Sequence, residues 1–173
     1  MLTVINQNTF EQPFTRLSTL ISIVMAACLI CFSAINLAAA AEPVSKTQNG
    51  SAIGSHDSVA YHSLSREPHA KALPGVETWT VEYKGAQWHF ASKENADLFR
   101  ANPDKYKPAY NGHCANALSL GRGLVVTDGT VWEIFGDQLF LFFAERGRER
   151  WLSTDDISAY KAVSDAEWAK LSQ

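Results

Sequence analysis

An α+β fold, a small antiparallel sheet built from two hairpins with short helices packed on it, follows from three observations. Two pairs of apolar-rich runs, Trp79 to Tyr83 with Ala86 to Phe90 and Val131 to Phe135 with Gln138 to Phe143, each close on a glycine-containing pair, Lys84-Gly85 or Gly136-Asp137. Between and after them, capping residues mark short helical segments. At 46% hydrophobic and 19% charged, the 173-residue chain has the balance of one folded domain plus a leader.

The leader comes first. Arg16 precedes an apolar run from Leu17 to Leu37, and Ala38 to Ala41 supplies small residues before Glu42-Pro43. Residues 1–41 therefore read as a secretory signal peptide cut near Ala40 or Ala41, or as an uncleaved anchor, because a span needs roughly 20 apolar residues. The expected location is periplasmic or secreted, with a membrane contact only through a retained leader. Cys28 and Cys31 would leave with that segment, so the mature chain keeps Cys114 alone and has no internal disulfide. Residues 42–55 are polar, carry Gly50 and Gly54 and show no period, which predicts a flexible tether ahead of a globular domain over 56–173.

Within that domain, Val59 and Tyr61 are expected to enter the core from a short extended segment, and Ser63 to Gly75, with Pro68 and Pro74, to form an irregular loop. A turn at Lys84-Gly85 pairs Tyr83 with Ala86, Val81 with Trp88 and Trp79 with Phe90 on an apolar face, leaving Thr80, Glu82, Gln87 and His89 on a polar one. Ser92 caps a helix that ends at Asn102-Pro103, where Asn102 caps a further turn with Pro103 at its first position. His113 to Leu120 predicts about two helical turns with Cys114 near their start. Gly123 to Thr127 reads as a strand, and the nearly continuous apolar run Leu139 to Phe143 as a strand covered on both faces. Glu145 to Leu152 reads as a helix with a charged face around Trp151, Ser153 to Asp156 as a cap, and Ser164-Asp-Ala-Glu167 as a capping box opening a last helix.

The central stretch reads Tyr83-Lys-Gly85-Ala-Gln-Trp88-His89-Phe90-Ala91-Ser92-Lys-Glu-Asn95, then Phe99, Asn102-Pro103 and Lys105-Tyr106. It resembles the YHS-domain family, whose core runs Tyr-x-Gly-x-x-Tyr/Trp-x-Phe-Cys-Ser-x-x-Cys before Phe, Asn-Pro and Lys-Tyr. His56-Asp-Ser-Val-Ala-Tyr61 is similar to that family's opening, and Tyr110-Asn-Gly-His-Cys114-Ala, the Trp132 hairpin and the Trp151 and Trp168 segments to its longer exported members. The residues that name the family correspond to Tyr83, His89 and Ser92, and the contiguous Tyr61-His62-Ser63 is coincidental. The resemblance implies a non-enzymatic binding or accessory module whose ligand is copper or a similar transition metal. The family's cysteine pair, however, stands here as Ala91 and Asn95, neither of them a thiolate.

Three side chains remain as metal candidates: His89, His113 and Cys114, a set that would take copper, or zinc, through imidazole and sulfur. A thiol at a helix start can be activated, which opens an alternative reading as a thiol enzyme or redox sensor. Adjacent helical residues diverge by about 100°, so His113 is a poor base for Cys114. His56, His62 and His69 could hold copper or zinc at an exposed edge, but their spacing is not a compact helical or turn pattern, and the competing reading is scattered loop histidines. A third reading is a protein-interaction scaffold acting through the 63–75 loop or the edge of the second hairpin. With a net charge of -3 and a pI near 5.9 there is no basic field for nucleic acid, and the tryptophans read as core. Esterase, phosphate-loop, dinucleotide and zinc-protease motifs are absent from the sequence.

Overall fold

A computed structural model describes residues 42–64 and 70–173. The leader expected over residues 1–41 and the side chain of His69 lie outside the described residues.

The class is α+β, but the hairpins form two separate two-stranded antiparallel sheets and not one sheet. The elements are β1 (Val76–Tyr83), β2 (Ala86–Phe90), α1 (Lys93–Ala101), α2 (Pro103–Tyr106), α3 (Ala115–Leu118), β3 (Val131–Phe135), β4 (Gln138–Phe142), α4 (Glu145–Leu152) and α5 (Ser158–Leu171), with 3-10 turns at Ile53–Ser55, Ala60–Ser63 and Ala109–Gly112. Among the described residues no helix is long and apolar enough to cross a membrane.

Lys84 and Gly85 both take positive φ, 51° and 69°, the geometry of a two-residue turn that matches strand twist. Tyr83 pairs with Ala86 and Val81 with Trp88, as the turn dictates. Beyond Thr80 the register breaks. Phe90 lies opposite Val76, not Trp79, because β1 bulges outward over the intervening residues, with the Thr80 hydroxyl donating to the Glu77 carbonyl at 2.7 Å.

The expectation of a flexible tether over 42–55 is overturned. Ala52 N donates to Gln87 O at 2.9 Å and Gln87 N to Gly50 O at 3.0 Å, so this stretch runs as a parallel bridge along the free edge of β2. Val44, Ser45, Ser51, Ala52 and Ile53 are buried. Gly54 marks contact, not looseness: its φ is 65°, and a Cβ there would lie 2.1 Å from Asp128 O. Polarity misled because Ser45 and Ser51 are buried with hydrogen bonds, to Thr127 and His89. Val59 and Tyr61 do reach the core, but around a 3-10 turn and not from an extended segment.

Ser92 caps α1 by accepting from Asn95 N at 3.1 Å, and Asn102 caps α2 from Lys105 N at 3.2 Å, with Pro103 at its start. This brings Phe99 onto Trp88 and Phe90, with ring centroids 5.1 and 5.0 Å apart. The second hairpin keeps its expected register, Trp132 opposite Leu141 and Ile134 opposite Leu139. Its apolar run separates two cores. Leu139 and Leu141 join Ile53, Tyr61, Trp88 and Phe99, while Phe140 and Phe142 join Tyr110, Leu118 and Trp151. Only Phe143 escapes, at 69% exposure.

Two further expectations fail. Among the described residues, 123–127 join no ladder: Val125 O accepts from Cys114 N at 2.9 Å, and the Thr127 main chain is held by the Ser45 hydroxyl. Ser164 opens no helix either. α5 begins where Asp156 Oδ1 accepts from Ser158 N, and Ser164, fully buried within it, donates toward Tyr160 O and Ala115 O. A serine with helical residues before it bonds backward along the helix, so the box pattern has no free amides to cap.

Candidate functional site

Asp57 sits at the junction of the 3-10 turn, the end of β2 and the start of α1, and its side chain is fully buried. One carboxylate oxygen accepts from Val59 N at 2.9 Å and Ala60 N at 3.0 Å. The other accepts from Ala91 N at 2.8 Å and Asn95 Nδ2 at 2.7 Å. Four donors around one carboxylate make the burial of its charge tolerable. Asp57 is not among the candidates that the sequence offers. Its signal was the aspartate two and three residues ahead of a turn, the Asx pattern in which a carboxylate bonds its own downstream amides.

The positions that close on Asp57, 91 and 95, are those of the cysteine pair in the sequence pattern above. The family model for the YHS domain matches residues 71–110. Residues 71–110 are a YHS domain. No curated protein and no solved structure matches the chain. The matched span holds β1, β2, α1 and α2. It ends before Cys114.

A soft metal does not fit the cysteine positions of this YHS domain. Ala91 offers no side-chain donor atom, and the Asn95 amide nitrogen is spent on Asp57. Nor does the fold assemble another set: among the described residues no three His, Cys, Asp or Glu side chains form a group that could hold a metal ion. His89 is not on an open polar face. It is buried at 6% exposure because residues 50–52 cover its side of β2, with Nε2 3.4 Å from Ser51 Oγ. His113 is buried too, its Nδ1–H donating to Tyr110 O at 3.0 Å and its ring 5.9 Å from that of Trp168. Burial holds its imidazole below the ordinary value. The Nδ1–H of His56 donates to Asp128 O at 2.9 Å, and His62 meets the Tyr106 ring edge-on.

Just past the YHS domain, Tyr110, Asn111 and Gly112 all take positive φ, 56°, 47° and 87°. A left-handed tyrosine is strained unless its surroundings hold it. Here Tyr110 Oη donates to Asp165 at 3.0 Å, and the Asn111 amide reaches Pro43 O and Glu42, each at 3.2 Å. This turn delivers Cys114 to the first position before α3, where its sulfur accepts from Phe143 N at 3.3 Å.

Cys114 borders a cleft of about 730 Å³ between α3, the 122–125 segment and α4. Of the three predicted site residues it alone reaches this cleft. Leu120 and Phe143 supply exposed apolar surface, and Arg122, Arg146 and Arg150 face it against a single carboxylate, Glu149. Arg150 is held by neutral groups, Asn116 Oδ1 and Ser119 Oγ, both at 2.9 Å, and stacks 4.0 Å over Tyr160. The cleft therefore combines exposed apolar surface with an excess of positive charge.

Proposed function

We propose that this chain is an exported, non-enzymatic YHS-domain protein that serves as an accessory module in metal handling by contacting a partner, not by holding copper between the family's cysteine positions. One observation carries the reading: Asp57 closes on Ala91 and Asn95, filling with hydrogen bonds the place a soft metal would need. The metal association of YHS domains supports the wider context. Export rests on the leader pattern over residues 1–41, and the apolar, positive cleft is the surface that suits a partner.

The test is native mass spectrometry of the protein purified without chelators and then offered copper or zinc, beside Cys114→Ser, with thermal midpoints recorded for each. The expected result is no stoichiometric metal in either form and no shift of the midpoint. Stoichiometric copper lost in Cys114→Ser would overturn the reading and make Cys114 a ligand.

A further inference from the structure

We propose that residues 123–126 and the cleft beside them form a docking site where an extended, acidic segment of a partner protein adds as a strand. The idea rests on the accessory-module reading and gives its partner a chemistry.

The segment Leu124-Val-Val126 follows Gly123, whose φ is 79°, and belongs to neither sheet. Its exposure alternates with a period of two: Leu124 and Val126 are exposed, Gly123 and Val125 half-buried, and Thr127 buried. Both ends are fastened. Arg122 N donates to Ala117 O at 2.9 Å, and Thr127 is held by the Ser45 hydroxyl at 2.9 Å and by Gly112 O at 2.7 Å. Between them, among the described residues, the amides of Leu124, Val125 and Val126 donate to nothing, and of their carbonyls only that of Val125 is engaged. An apolar segment with open main-chain groups and alternating exposure can pair with another extended polypeptide.

Charge selects which polypeptide. Three arginines face the adjoining cleft against one glutamate, and among the described residues none of the three is paired with a carboxylate, in a chain whose net charge is -3. That local excess draws an acidic segment and repels a basic one. Leu120 and Phe143 give its apolar side chains a seat. A lipid would satisfy the charge and the apolar surface, but it carries no backbone to pair with residues 124–126.

The experiment titrates the protein with an N-acetylated peptide alternating valine and glutamate, with its valine–lysine counterpart, and with the valine–glutamate peptide methylated on its backbone nitrogens. Saturable binding of the first is expected, weakened by about tenfold or more in the lysine peptide and in the double variant Arg122→Glu/Arg146→Glu, both of whose sites are exposed. Backbone methylation should abolish it, since it removes the pairing hydrogen bonds and leaves the charges in place. Equal binding of the two peptides, undiminished binding of the methylated one, or no binding by any would overturn the proposal. So would self-association of the protein that the glutamate peptide fails to displace. Failure here leaves the metal result untouched and sends the accessory reading to another surface. Cys114-dependent copper removes the accessory reading itself, whatever the peptides do.

Discussion

Asp57 shows how much one side chain can organise. Its four hydrogen bonds join the turn after residue 57, the end of β2 and the cap of α1, and it does this from full burial. Asp57→Ala leaves three main-chain amides and one side-chain amide without an acceptor, and should cost about 3 kcal/mol or more, read as a lower urea midpoint. Asp57→Asn should recover little, because its own NH₂ group must face either the amides at 59 and 60 or the donors at 91 and 95. Full stability in Asp57→Asn would show that the carboxylate is not the tie between these elements. His113 gives the protein an acid-sensitive point. Burial depresses its pKa in the folded state below the ordinary 6.5, so the unfolded chain takes up the proton more readily. Stability from this residue is therefore complete above that ordinary value and is lost as pH falls below it toward the folded-state pKa. Denaturant titrations across that window should steepen in wild type and flatten in His113→Gln. An unchanged slope would place the acid sensitivity elsewhere.

At the scale of elements, signals carried by near neighbours hold at the turns and at the caps of α1 and α2, and fail at Ser164, where a helix already runs before the box. The Lys84-Gly85 turn, the Ser92 and Asn102 caps and the Gly136-Asp137 hairpin depend on neighbours within a few residues, and the structure keeps all of them. Signals that needed a distant partner failed. Residues 42–55 lack apolar periodicity because they pair with Gln87 through the main chain and bury hydroxyls, neither of which leaves a pattern in hydropathy. A chain shortened to begin at His56 should lose the cover over His89 and the seat of Ile53, and melt at a markedly lower temperature or fail to fold. Melting at the full-length temperature, followed by circular dichroism, would return this segment to the status of a tether. The strand expected at 123–127 has the right composition, and its alternating exposure survives. What it lacks is a neighbour, which composition cannot supply.

For the molecule as a whole, the second hairpin is the wall between two cores. Leu139 and Leu141 face one, Phe140 and Phe142 the other, so damage on either face should spread to the whole fold. Leu141→Ala, fully buried opposite Trp132, should cost about 2 to 5 kcal/mol. Because the wall is shared, tryptophan fluorescence and far-ultraviolet dichroism should lose signal in one transition; two separated transitions would mean that the cores melt independently. The sequence by itself determined the fold class, the hairpin turns, the helix caps and the YHS pattern, since each is written in residues that touch their near neighbours. Only the tertiary structure decided that Asp57 stands at the cysteine positions, that His89 is covered, and that Cys114 borders a positive cleft apart from the two histidines predicted beside it. Those outcomes depend on which distant segments meet, and burial, charge balance and hydrogen-bond satisfaction are properties of that meeting.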